Sequence, residues 1–121
     1  MEPNFHHLQL VMIEKRSQNI SAGDVVVFRK NGIRGVVIKR VVACPGDTVL
    51  IKNGLLFVNG MTESDPASLI EEPGRAEKAI VLGMGKYFVL GDNVNHSIDS
   101  RFKEISDVDT EEILGKVITW N

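Results

Sequence analysis

Cysteine is nearly absent: Cys44 is the only one in 121 residues. A single thiol excludes an internal disulfide, and without Cys-x-x-Cys or Cys/His ligand spacing no metal site is expected. Long apolar runs are missing as well. No stretch approaches the roughly 18 uninterrupted apolar residues that a membrane-crossing helix requires. The opening Met1-Glu2-Pro3-Asn4-Phe5-His6-His7 is polar and lacks the apolar centre of a secretory leader. No excess of positive charge is present: 14 Lys and Arg face 16 Asp and Glu, a net charge of -2. The basic footprint of a general nucleic-acid binder is therefore missing. Repeats and low-complexity tracts are absent too.

What is present is an ordinary globular composition, 43% hydrophobic and 25% charged. That length implies one domain, 1–121, with a core that needs no disulfide. Short apolar runs separated by turn residues dominate. Residues 8–14 read as a strand. Gly23-Asp24 is a turn before the buried run Val25-Val26-Val27-Phe28. Asn31-Gly32 signals a hairpin, because both residues tolerate positive φ, with a return strand over 34–42. Strands over 48–52 and 55–58 flank a second hairpin at Asn53-Gly54, and Asn59-Gly60 turns again. Residues 61–78, with Pro66, Pro73 and Gly74, read as a long surface excursion. Strands resume at 79–82 and 86–90. One helical turn over 110–114, capped by Asp109 or Thr110, precedes a last strand over 115–120. The expected fold is mainly β, an antiparallel barrel or sandwich with little helix.

Two segments carry chemistry. Gly91-Asp92-Asn93-Val94-Asn95-His96-Ser97-Ile98-Asp99-Ser100-Arg101 follows the apolar run Tyr87-Phe88-Val89-Leu90. Loops held on rigid strands are where binding and catalysis concentrate, although Gly, Asp, Asn and Ser also make plain turns. The other segment is Val36-Val37-Ile38-Lys39-Arg40-Val41-Val42. Alternation puts Lys39 on one face with Val37 and Val41, and Arg40 on the other with Ile38 and Val42. Desolvation among valines lowers a lysine pKa, and a neutral lysine is a general base. A strand lysine is more commonly an exposed edge residue, so periodicity alone leaves both readings open.

Taken together, these residues resemble the bacterial type I signal peptidases. Gly23-Asp24-Val25-Val26-Val27 matches the family's G-D-x-V-x-V box. Lys39-Arg40-Val41-Val42-Ala43-Cys44-Pro45-Gly46-Asp47-Thr48-Val49 matches K-R-V-x-x-x-P-G-D-x-V, and residues 53–60 match the hairpin that follows. Tyr87-Phe88-Val89-Leu90-Gly91-Asp92-Asn93 with Ser97-Ile98-Asp99-Ser100-Arg101 matches the final G-D-N-R-x-x-S-x-D-S-R box. Met1-Glu2-Pro3 matches the tail of S-M-x-P. The boxes occur in family order across nearly the whole chain.

The resemblance implies a Ser/Lys serine endopeptidase that removes signal peptides from secreted preproteins, with no cofactor. By position Lys39 is the base, and Ser97 is the hydroxyl that orients its amine. Asp99 and Arg101 form a pair shaping the loop, with Arg40 and Asp92 as partners of the same kind. Met1, Phe5 and Ile38 sit where the family lines its pocket for small side chains. The implied location is the outer face of a bacterial plasma membrane, reached through an N-terminal helix. The family's nucleophilic serine precedes the Met of S-M-x-P, here residue 1. The expectation is therefore an N-terminally truncated catalytic domain, or a degenerate homologue, inactive as it stands. Val94 replaces the usual Arg, and Asn4 stands where Thr is common.

Other residues fit simpler roles. Ser17, Ser21, Ser64, Ser68 and Ser106 suit caps and turns. His6 and His7 point to opposite strand faces and chelate poorly. His96 is a turn residue, Cys44 a small packing residue, and Trp120 a core or lipid-interface residue. Two alternatives remain: a self-cleaving repressor-type domain of similar fold, and a non-catalytic scaffold that binds extended secreted chains by strand addition.

Overall fold

The computed structural model describes residues 11–15, 19–62 and 68–119. Nine strands lie among them: β1 (Val11–Lys15), β2 (Val25–Phe28), β3 (Val37–Ala43), β4 (Thr48–Lys52), β5 (Leu55–Val58), β6 (Ile80–Val81), β7 (Lys86–Leu90), β8 (Val108–Asp109) and β9 (Ile113–Thr119). All pairings are antiparallel. One sheet has the order β1-β9-β2-β3-β7-β8, and a smaller one the order β5-β4-β6. The only helix among the described residues is three single-turn 3-10 segments, Gly74–Glu77, Val94–His96 and Thr110–Glu112. The expected class, antiparallel β with little helix, is what forms.

Turn chemistry explains several connections. Asn53 and Gly54 adopt φ of 53° and 77°, so a two-residue loop joins β4 to β5 with the twist that favours hairpins. At 109–112, Asp109 accepts from the Glu111 N–H at 3.3 Å while Glu112 Oε1 accepts from the Asp109 N–H at 2.8 Å. This reciprocal cap fixes the expected helical turn. β9 then starts at Ile113, two residues earlier than its pattern predicts.

β7 organises the interior. Tyr87 and Val89 enter one cluster with Val26, Phe28, Val41, Ile105, Val108 and Ile113. Phe88 and Leu90 enter a second with Ala43, Val49, Ile51, Ile70, Ala76 and Leu82. Strand alternation thus feeds both cores from five residues. β3 does the same by a different device. Val41 pairs with Val89 and Ala43 with Phe88, so two steps along β3 meet one along β7. The bulge turns Ala43 toward the second core although Val41 faces the first.

Two expectations need correction. The return strand begins at Val37, not residue 34. Val36 is exposed, and Asn31-Gly32 lies inside a connection over 29–36 rather than forming a two-residue hairpin. The excursion over 61–78 is not wholly on the surface either. Ile70 and Ala76 are buried in the second core. Periodicity misses them because they arrive singly, from an irregular segment.

Candidate active site

The polar turn and the lysine strand meet because β3 and β7 pair. In that register Arg40 opposes Leu90 and Val41 opposes Val89. One step further, Lys39 faces Gly91, where β7 has ended and the turn begins. Lys39 Nζ lies 3.0 Å from Ser97 Oγ, in a partly buried position. Gly91 leaves room for this contact. A Cβ there would stand 3.5 Å from Lys39 Nζ and overlap Ser97 Oγ outright.

Burial lowers the Lys39 pKa from its ordinary value. The Asp99 carboxylate opposes this most strongly, Arg101 adds to the lowering, and Asp92 opposes it more weakly. The hydrogen bond of the amine goes to a hydroxyl rather than a carboxylate, so the two carboxylates act on it only at longer range.

Asp99, Ser100 and Arg101 are buried, at 0%, 0% and 2% exposure. Charges this deep survive only when paired and fully hydrogen-bonded. Arg101 meets both conditions. Its Nε donates to Asp99 Oδ1 at 2.8 Å and Nη2 to Asp99 Oδ2 at 3.1 Å. Nη1 donates to the Glu72 carbonyl at 2.8 Å, and Nη2 also to the carbonyls of Val94 (2.6 Å) and Ser97 (3.1 Å). Asp99 in turn accepts from the Gly91 N–H at 3.1 Å. The ion pair therefore holds both ends of the turn that carries Ser97. Ser100 continues β7 sideways: its Oγ accepts from the Val89 N–H at 2.9 Å and its N–H donates to the Val89 carbonyl at 3.1 Å.

On the opposite face of β3, Arg40 grips Asp92 with two bonds, at 2.8 and 2.9 Å, and donates to the Gly23 carbonyl at 2.7 Å. The hydrogen bonds to Asp92 raise the Arg40 pKa further. This pair joins the Gly23 turn to the start of the polar loop. An open groove of about 550 Å³ is lined by Arg40, Val41 and Val42 of β3, by Ala22 and Gly23, and by Leu56 and Val58 of β5.

The structure thus brings together Lys39, Ser97, Asp99 and Arg101, with Arg40 and Asp92 at the flank. Ile38 is half-buried, and alternation places it on the other face of β3 from Lys39. Met1, Phe5, His6, His7, Ser17, Ser64 and Trp120 lie outside the described residues. His96 is exposed. Cys44 packs against the first core, and burial pushes its thiol pKa up. Among the described residues no cluster of three or more His, Cys, Asp or Glu could hold a metal. No helix among them is long and apolar enough to cross a membrane. Sequence reasoning missed Arg75, whose Nη1 donates to the Ser100 carbonyl at 2.7 Å, and the role of Asn95 within the polar stretch, where its amide accepts from the Glu71 N–H and donates to the Leu69 carbonyl. No local pattern marks either one.

Comparisons with known proteins agree with this architecture. The family model described as signal peptidase, peptidase S26, matches residues 1–120. A signal peptidase I of Bacillus amyloliquefaciens is 34% identical over 113 residues, covering 84% of this chain and 60% of that protein. A signal peptidase IB of Staphylococcus aureus is 34% identical over 123 residues, covering 88% and 63%. The chain thus spans somewhat over half the length of these relatives. A crystal structure of a signal peptidase I from Enterococcus faecalis superposes with a TM-score of 0.66 at 23% identity, covering 84% of this chain and 98% of that one. That likeness extends to the fold, while the family model and the 34% identical relatives extend to the ancestry: the chain belongs to the signal peptidase family.

Proposed function

We propose that this chain is the catalytic domain of a Ser/Lys endopeptidase that cuts signal peptides from secreted preproteins. The observation that carries the reading is the 3.0 Å contact between a partly buried Lys39 Nζ and Ser97 Oγ. In this reading the attacking serine occupies the position immediately ahead of Met1. Lys39 Nζ takes the serine proton as the oxygen adds to the scissile carbonyl, then passes it to the leaving amine. The same nitrogen next deprotonates the water that opens the ester. Ser97 does not react; its hydroxyl fixes the direction of the amine lone pair. The lowered Lys39 pKa supports this role, because a base must shed its proton before it can accept one. Preproteins as substrates, and the outer face of the plasma membrane as the location, follow from the same reading.

The test uses the protein with a serine and its upstream residues ahead of Met1, and a peptide with Ala-X-Ala before the scissile bond. Cleavage is expected, with a rate that rises with pH on a limb below the ordinary lysine value of 10.5. Lys39→Ala is expected to lose on the order of 100- to 10,000-fold in kcat. Residues 1–121 alone serve as the blank. If the serine-bearing protein does not cut, the non-catalytic scaffold becomes the better description.

A further inference from the structure

Segment 69–75 runs beside the loop 94–101 and is bonded to it at five points. Asn95 Oδ1 accepts from the Glu71 N–H at 3.0 Å, and Asn95 Nδ2 donates to the Leu69 carbonyl at 3.0 Å. Arg101 Nη1 reaches the Glu72 carbonyl at 2.8 Å. The Arg75 N–H donates to the Arg101 carbonyl at 2.7 Å, and Arg75 Nη1 to the Ser100 carbonyl at 2.7 Å. Gly74 sits so close to the Arg101 carbonyl that any Cβ there would overlap it. The far side of the segment is anchored. The Ile70 N–H donates to the Gly54 carbonyl at 2.9 Å, and Ile70 and Ala76 are buried in the second core. Arg75 also pairs with Asp107 at 3.3 Å.

From this we propose that segment 69–75 is a strap, and that Asn95 and Arg75 are positioning residues which hold the Ser97 loop, and through it the Lys39 amine, in the reactive arrangement. The proposal rests on the protease reading for its purpose, but its geometry stands without it. Loop 94–98 is a single 3-10 turn and its continuation, tied to the buried Arg101 through the Val94 and Ser97 carbonyls, with Asn95, His96 and Ile98 exposed, and short exposed turns open locally at low cost. Bonds from a core-anchored segment raise that cost. A base displaced by about 1 Å forfeits on the order of 100-fold in rate, so a contact that never touches substrate can still set the rate.

The experiment titrates Lys39 by NMR in the 1–121 chain and follows amide exchange over 97–101. Asn95→Ala removes two bonds at an exposed position and leaves both cores intact. It is expected to move the Lys39 midpoint up toward ordinary lysine and to speed exchange at Ser100 and Arg101 about tenfold. Arg75→Gln is expected to act in the same direction, and Arg75→Lys, which keeps one donor for the Ser100 carbonyl, to restore part of the effect. In the serine-bearing protein both losses should lower kcat about tenfold and leave KM unchanged. An unmoved Lys39 midpoint in folded Asn95→Ala and Arg75→Gln overturns the strap. If Arg75→Gln does not fold, Asn95→Asp, which keeps the acceptor and loses the donor to Leu69, decides in its place. Failure of the parent to cut any peptide would count against the protease alone, because titration and exchange need no substrate.

Discussion

Arg101 shows what a buried cation demands of its neighbours. A guanidinium offers five N–H donors and no acceptor, and here every one of its nitrogens is engaged within the fold. Its Cζ also sits 5.0 Å from the Phe102 ring centroid, a favourable cation–π approach. Among the described residues no buried side-chain nitrogen or oxygen lacks a partner. Such satisfaction cuts both ways, since removing one partner strands the other charge in a dry interior. Asp99→Ala is therefore expected to cost about 3–5 kcal/mol, measured by urea unfolding. Arg40→Ala leaves behind Asp92, whose side chain is only 9% exposed, but the arginine removed is one-third exposed, so its departure opens the carboxylate to solvent that replaces much of what is lost. Its cost is expected to be about 1 kcal/mol. Equal costs for the two variants would mean that the Asp99–Arg101 pair is far better hydrated than its burial implies.

At the scale of elements, β7 and the turn after it, residues 86–101, do two jobs. The strand feeds both cores, and its end delivers Gly91 opposite Lys39. Gly91→Ala is expected to expel the Ser97 hydroxyl from the amine and to cost about 1–3 kcal/mol through overpacking. The check is loss of the Lys39–Ser97 contact in the NMR spectrum, with stability followed by thermal melting. Much of this was legible beforehand. The Val25-Val26-Val27-Phe28 run, the Asn53-Gly54 turn and the alternation around Lys39 are local signals, and local physics decides them. Lys39 and Ser97, 58 residues apart, could be joined only through family resemblance, since no periodicity reports which strands pair. Nothing marked Arg75, Asn95 or the Glu72 carbonyl, because their roles depend on an irregular segment lying beside a distant loop. The β3 bulge was equally hidden: a register shift is set by the partner strand, and Val41-Val42-Ala43 reads as an uninterrupted strand without it.

For the molecule as a whole, the site carries a thermodynamic cost that pH should expose. Burial lowers the folded-state pKa of Lys39 below its unfolded value, near 10.5. Between those two values the unfolded chain binds more protons at this position than the folded one, so stability rises with pH there. Below the folded-state pKa the amine is charged in both states, and the cost of burying it is present in full. Above 10.5 it is neutral in both and that cost is gone. Lys39→Met keeps the aliphatic stem and removes the charge, so it is expected to be more stable than the parent at neutral pH. That advantage should shrink as pH climbs through the window toward 10.5, where loss of the Ser97 contact offsets what remains. Urea unfolding of both proteins at a series of pH values, read as a difference curve, cancels the other lysines. A flat difference would mean that the amine is as well solvated folded as unfolded, and would remove the physical basis for a neutral base at this position.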